Sequence, residues 1–292
     1  MRGEGLVRLG RYWAREVWEC FRDLLAAEQF RCPFCWSLFP DQPQVEPSLP
    51  REGFWFPQAG CPGCLALLPF VTPPFCDRCG RPLRQTASRL CTDCRRYYRF
   101  FVVARAVGVY DGALRHWIQL LKYGDRVEIA AGLGELMAEL AGRDPALAGV
   151  QAVVPVPVSP QRQRERGYNQ AELLARPVAL RLGLPVITDA VLRVHGGTPQ
   201  SLLSGVARRR NAFGLYEIGR PAGIAGRSVL LVDDILTTGA TINEVARLLL
   251  KAGAAEVRAL VAAVGVQRAD WQEKDDRQGY LEGIQGMKRN CR

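Results

Sequence analysis

The chain has 292 residues, of which 48% are apolar, enough to build an ordinary domain with a smaller companion and too much apolar material for an intrinsically disordered protein. Its 39 Lys and Arg against 29 Asp and Glu give a formal charge of +10, which suits polyanionic partners such as nucleic acid or phosphates, and equally a plain basic surface. No run reaches the roughly 20 apolar residues of a membrane helix, and the N-terminus lacks a signal-peptide pattern, so the expectation is a cytoplasmic protein without a membrane span.

In chain order, residues 1–30 carry Leu6, Leu9, Trp13, Val17, Phe21 and Leu24 at three- and four-residue spacing among Arg and Glu, the period of an amphipathic helix. Core packing is the commoner use of such a stripe, with membrane-surface or partner binding as the other reading, given Trp13 and Trp18. Residues 31–100 change character to prolines, glycines and short apolar pieces around four Cys-x-x-Cys pairs: Cys32/Cys35, Cys61/Cys64, Cys76/Cys79 and Cys91/Cys94. A Cys-x-x-Cys turn aims two thiolates at one ion, and two such turns complete the tetrahedral sulfur shell of zinc. One or two structural zinc ions are expected, ahead of a redox function or an iron–sulfur cluster. Gly80 is placed to take the positive backbone angle that follows a second ligand. Adjacent and crossed pairings of the four turns both satisfy the arithmetic.

Residues 101–267 alternate apolar runs with helical periodicity, the pattern of a mostly parallel sheet flanked by helices. The expected strands are Ala104 to Tyr110, Ala152 to Val158, Ser228 to Asp233 and Glu256 to Val264. The expected helices run from an Asp111 cap to Lys122, from Val127 to Ala141, from an Asn169 cap, and from Thr241 to Ala252. Pro177 should break or kink the third of these. Residues 268–292 turn polar and lose periodicity, which reads as a loosely held tail with the unpaired Cys291.

The strongest motif is Val229-Leu-Leu-Val-Asp-Asp-Ile-Leu-Thr-Thr-Gly-Ala-Thr241. Its apolar start delivers a buried strand, Asp233 and Asp234 stand near the strand's C-terminal end, and a Thr/Gly loop opens a helix. Ligands of open α/β sheets bind beyond such strand ends. A helix N-terminus offers free N–H groups to a phosphate, helped here by Thr237, Thr238, Ala240 and Thr241, with Gly239 letting the backbone approach. A ribose carried by that phosphate would present its vicinal hydroxyls to Asp233 and Asp234, which are good acceptors. A Walker-type or phosphoacceptor site is disfavoured because the chain contains no Gly-x-x-x-x-Gly-Lys-Ser/Thr loop.

This motif resembles the 5-phosphoribosyl 1-diphosphate (PRPP) signature of type I phosphoribosyltransferases. The four Cys pairs, Leu120-Leu-Lys-Tyr-Gly-Asp125, Val154-Pro-Val-Pro-Val158, Arg162 with Arg166-Gly-Tyr-Asn-Gln170, and Gln200 through Arg208-Arg-Arg-Asn211 together resemble the ComF family of competence-associated, phosphoribosyltransferase-like proteins. The resemblance implies a type I phosphoribosyltransferase-like parallel sheet preceded by a small zinc module. It also implies that Val156, Pro157, Arg162 and Arg166 lie near the diphosphate, with Arg164 beside them, that Arg208 belongs to a flap over PRPP, and that Lys122 adds charge to the pocket. Guanidinium forks suit a diphosphate, and magnesium is expected to bind with PRPP because it prefers substrate phosphate oxygens.

Two functions of different classes follow. The first is transfer of the phosphoribosyl group to a nitrogen acceptor with release of pyrophosphate, Asp233 and Asp234 being the catalytic candidates; no general base stands out, since His116 reads as helix surface and His195 as a loop contact. The second is a PRPP-binding accessory of DNA uptake. There Tyr97, Tyr98, Phe100 and Phe101 beside Arg95, Arg96 and Arg99 would stack and contact single-stranded DNA, or would instead pack the zinc module onto the main domain. DNA-uptake proteins are then further partners, and an oligomer is compatible with the sequence.

Overall fold

The computed structural model describes residues 30–39, 59–84, 88–194 and 214–266. The expected N-terminal helix, the polar tail with Cys291, His195 and the Gln200 to Asn211 segment with Arg208 lie outside the described residues.

The Cys-rich part contains a two-residue ribbon, β1 (Phe30–Arg31) with β2 (Leu38–Phe39), and two short helices, α1 (Pro62–Ala66) and α2 (Thr92–Arg96). Beyond it come β3 (Ala104–Val109), α3 (Gly112–Tyr123), α4 (Ile129–Arg143), β4 (Ala152–Pro155), α5 (Pro160–Arg166) and α6 (Gln170–Leu182). They are followed by β5 (Val191–Arg193), β6 (Tyr216–Ile218), β7 (Ser228–Leu236), α7 (Ala240–Lys251) and β8 (Glu256–Val264).

The main sheet has the order β3-β8-β7-β4, and all three pairings are parallel. Crossing between parallel neighbours requires helices, and these cover both faces, so the strands are buried on each side and read as near-continuous apolar runs. β7 shows the strand alternation plainly. Leu230 and Val232 join the core with α3, α4 and α6, whereas Val229 and Leu231 join the opposite core with α7.

Helix starts follow local chemistry. The Asp111 side chain accepts from Gly112 N, and the Asn169 side chain accepts from Ala171 N, as N-caps do. The helix from Asn169 does not stop at Pro177: α6 runs on to Leu182. A proline costs the bond to the carbonyl four residues back, and here its ring lies in a notch of α4, where a Cβ on Gly134 would stand 2.7 Å from Pro177 Cγ. Packing of the ring against the facing helix offsets the loss.

The Cys-rich segment does not form a core of its own. Cys32, Phe34, Cys64 and Leu68 belong to the cluster with α3 and α4, and Cys76, Cys79, Cys91 and Phe101 to the cluster with β7 and α7. It also closes a sheet edge. Phe70 bridges Gly108 in antiparallel fashion, with Val71 N donating to Val107 O and Val109 N to Pro69 O, so residues 69–71 lie along the outer side of β3.

Candidate functional site

The four Cys-x-x-Cys turns pair as neighbours. Cys32, Cys35, Cys61 and Cys64 form one set and Cys76, Cys79, Cys91 and Cys94 the other, with the four sulfurs of each within 4.8 Å of one another. Cys35 Sγ lies 3.7 Å from Cys61 Sγ, and Cys79 Sγ lies 3.6 Å from Cys91 Sγ. A tetrahedron with Zn–S bonds of about 2.3 Å has edges of about 3.8 Å, so the spacing fits zinc. Backbone N–H groups support the knuckles, Cys61 N donating to Cys32 Sγ and Cys91 N to Cys76 Sγ at 3.3 Å.

The thiols push one another apart in acidity. Hydrogen bonding from Cys32 holds Cys35 far below the ordinary thiol value, and Cys79 does the same to Cys76. Bonding to Cys32 and Cys76, already the more acidic partners, drives Cys64 and Cys79 well above it. Four thiolates so close repel, and a divalent cation removes that cost. Among the described residues all eight cysteines are free thiols, and both sets fit structural zinc.

The second site is a cleft of about 1040 Å³ at the C-terminal end of β7, the upper end of the range of about 300–1,000 Å³ usual for small-molecule sites. Strand β7 continues two residues past the acidic pair to Leu236, which places Asp233 and Asp234 inside the sheet at 8% and 4% exposure. Gly239, with φ of 73°, then makes the left-handed turn that opens α7, a conformation that costs other residues about 1–2 kcal/mol. Gly239, at the N-cap of α7, has no side chain to cap the helix, and Ala240 N donates to Thr238 Oγ1 at 3.4 Å, so the helix start faces the cleft with the positive end of its dipole.

The acidic pair is strongly polarised. Lys122, in the last turn of α3, places Nζ 2.8 Å from Asp234 Oδ2, and Asp234 N donates to Asp233 Oδ1 at 2.9 Å. Burial, then the neighbouring Asp234 charge, raises Asp233 well above the usual carboxylate range, with Lys122 opposing. Burial works against the Lys122 ammonium, yet Asp234 and then Asp233 hold it above the ordinary lysine value. Lys122 thus stays cationic, and Asp233 is the carboxyl that a cation or hydroxyl donors would stabilise in its ionised form.

Most of the expected residues come together. Lys122, Val156, Pro157, Arg162, Asp233, Asp234, Thr237, Thr238, Gly239, Ala240 and Thr241 all line the cleft. Arg166 stands at the rim, over the ring of Tyr123 at 4.9 Å and bonded to Gln170 Oε1 at 3.0 Å. Arg164 is exposed on α5, and Arg208 lies outside the described residues. His116 is on the exposed side of α3.

Four lining residues carry no local sequence signal. Arg193 and Tyr216 face one another across the antiparallel β5–β6 pair, with the guanidinium 5.5 Å from the ring centre. Burial raises the Tyr216 hydroxyl above its ordinary value, so it remains a donor. Arg81 and Asp93 reach the cleft from the second four-cysteine set, joined Nη1 to Oδ2 at 3.0 Å. The aromatic-basic stretch divides: Arg95, Arg96 and Tyr98 are exposed, Tyr98 at 76%, whereas Arg99 and Phe101 are buried. Phe101 and Arg99 therefore pack the ribbon onto the sheet.

Parallel strand, acidic pair, threonine turn and helix start define a phosphoribosyltransferase-type domain joined to a zinc-ribbon module. Residues 169–285 match the Phosphoribosyl transferase domain model, and residues 56–95 match the Double zinc ribbon domain model, with Cys32 and Cys35 preceding the latter match. The chain is 33% identical to Competence protein F of Haemophilus influenzae over 203 residues, which covers 68% of this chain and 87% of that one. It is 35% identical to DNA utilization protein YhgH of Escherichia coli K12 over 187 residues, 63% of this chain and 81% of the relative. Competence protein ComFC of Bacillus subtilis is 29% identical over 204 residues, 67% and 79% of the two chains. The chain belongs to the ComF family.

Proposed function

We propose that the cleft binds PRPP with magnesium and that the protein transfers its phosphoribosyl group to an acceptor with release of pyrophosphate. The observation that carries this reading is the continuity of Asp233 and Asp234 with the Thr237–Thr241 turn and the start of α7 in one cleft. The turn and helix N-terminus take the 5-phosphate. Asp233 and Asp234 accept from the ribose hydroxyls, and Lys122 orients Asp234 through an ion pair of 2.8 Å. Arg162 and Arg193, with the turn at Val156 and Pro157, suit the diphosphate, which forked donors recognise. Magnesium, when bound with the diphosphate, supplies charge neutralisation on the leaving oxygens. The eight free thiols and two tetrathiolate sets support a reducing, cytoplasmic setting.

The test is calorimetry of the zinc-loaded protein with magnesium–PRPP, followed by a pyrophosphate-release assay across bases and amines. Binding is expected in the wild type and its loss in Asp233→Asn and Asp234→Asn. Absence of binding under all magnesium conditions, or turnover that survives both substitutions, would overturn the assignment.

A second reading, a non-catalytic PRPP-binding accessory of DNA uptake that binds single-stranded DNA, draws on one observation. Among the described residues the cleft is lined by no His, Cys or Glu, and its carboxylates are Asp93, held by Arg81, and the Asp233–Asp234 pair, so no group is placed as a dedicated general base. The relatives' names, competence and DNA utilization, support the uptake role, and exposed Arg95, Arg96 and Tyr98 supply a surface for it. DNA binding that weakens steeply with salt and with Arg95→Ala/Arg96→Ala, in a protein without pyrophosphate release, would select this reading.

A further inference from the structure

The phosphate-binding turn is not held only by its own domain. Arg81 follows the Cys76/Cys79 knuckle and is 4% exposed, and its guanidinium makes three directed bonds. Nη2 donates to Thr237 O at 2.6 Å, Nε to Gly265 O at 3.0 Å and Nη1 to Asp93 Oδ2 at 3.0 Å. Arg99, 5% exposed, donates Nη1 to Thr238 O at 3.0 Å, and its guanidinium lies 3.1 Å from where a Cβ on Gly239 would stand. Asn243 in α7 accepts from Phe100 N at 2.7 Å and donates to Tyr98 O at 3.3 Å. Two consecutive carbonyls of the turn and the first turns of the helix behind it are thus fixed from the ribbon side.

The chemistry of the second four-cysteine set explains why an arginine sits here. Four thiolates around a divalent cation would leave two negative charges, and the Arg81 guanidinium, two residues beyond Cys79 and bonded to Asp93 of the same module, sits buried beside them. A buried guanidinium beside that set is compensated, and its remaining donors point at Thr237 and Gly265. If the set lost its charge, Arg81 would be left buried with Asp93 as its partner, and the turn would lose a brace.

We propose that Arg81 and Arg99 are positioning residues of the PRPP site, through which the second four-cysteine set holds the Thr237–Gly239 turn in its phosphate-binding shape. The inference rests on the PRPP reading for its functional consequence but not for the brace itself. By linkage, what the ordered turn contributes to ligand binding the ligand returns to the ribbon.

The experiment is hydrogen exchange of residues 237–241 in the ligand-free, full-length protein, with magnesium–PRPP titration and zinc content measured in parallel. Wild type, Arg81→Lys and Arg99→Lys are compared, with Phe34→Ala as a variant destabilised far from the turn. Lysine keeps the charge but cannot span Thr237, Gly265 and Asp93 at once. The expected result is zinc-replete variants whose turn exchanges about tenfold or more faster and whose PRPP affinity falls about tenfold, the scale of one lost charge-assisted bond. Phe34→Ala should leave both quantities near wild type. Unchanged exchange and affinity in zinc-replete Arg81→Lys would overturn the proposal. Should Arg81→Lys fail to fold, Arg99→Lys carries the same two outcomes. A wild type that binds no PRPP would sink the functional reading alone, because exchange of the ligand-free turn still decides the brace.

Discussion

The two four-cysteine sets share ligand type and spacing but differ in what their knuckle residues touch. In Cys32-Pro-Phe-Cys35 the intervening residues are apolar, and Phe34 stacks on Trp117 with ring centres 4.0 Å apart and planes at 17°. The knuckle comes so close to α4 that a Cβ on Gly132 would lie 2.5 Å from Ala59 O and 2.6 Å from Pro33 Cγ. In Cys76-Asp-Arg-Cys79-Gly-Arg81 the neighbours are polar, and Arg81 bonds to the turn of the ligand cleft. Two sets of the same four thiol ligands are thus packed differently, one into the apolar core and the other beside an arginine that bonds to the Thr237 carbonyl. The ligands do not distinguish these settings; the residues beside them do.

That contrast can be broken most sharply by removing one ligand from each set. Cys79→Ser is expected to weaken magnesium–PRPP binding by about 100-fold or more, since both the site's charge and the Arg81 brace go. Cys35→Ser should lower the melting temperature while leaving the affinity of the folded fraction within about threefold. Calorimetry below the melting point of each variant checks the pair, and equal losses of affinity would erase the distinction.

Phe34→Ala comes next. Removal of a buried aromatic costs about 3–5 kcal/mol of unfolding free energy, read by denaturant titration, and PRPP affinity should stay near wild type. Gly239→Ala tests the opposite side: its left-handed φ and the Arg99 contact predict about tenfold weaker PRPP binding with a loss of stability of about 1–2 kcal/mol.

The smallest effect is in pH. Asp233 is raised in the folded protein, so its protonated form is favoured there, while ligand binding favours the carboxylate. Affinity should therefore rise with pH and fall off on acidification at a pH above the ordinary carboxylate value of 3.8. Titrations across a pH series check this, and Asp233→Asn should flatten whatever binding remains.

Much of the main domain was legible because buried parallel strands are apolar runs. Glu256 to Val264 forms the strand expected of it, while the expected Ser228 to Asp233 extends to Leu236, since apolar Ile235 and Leu236 continue the ladder with β8 past the carboxylates. The expected Ala152 to Val158 ends as a strand at Pro155, and Val156 N still bonds to Val232 O beyond it. Val127 to Ala141 starts at Ile129 and reaches Arg143, the usual uncertainty of helix ends. The β5–β6 pair leaves no mark in the sequence because its strands are three residues each, too short for a period to show.

The cleft's chemistry was legible where it is local, in one unbroken motif from Val229 to Thr241 and in Lys122 and Arg162. Arg81 and Arg99 were not, because their partners lie 156 and 139 residues away in the chain. Nothing in the spacing of the cysteines selected adjacent over crossed pairing either; that depends on how residues 69–71 lead the chain along β3, separating the two sets.

That stretch beside β3 has one more consequence. A fragment beginning at Phe101 would retain every strand of the main sheet but present the flank of β3 as a bare row of amide and carbonyl groups, a template on which copies could add to one another. The zinc module is in this sense a guard against self-association, and the sheet domain is not expected to stay monodisperse without it.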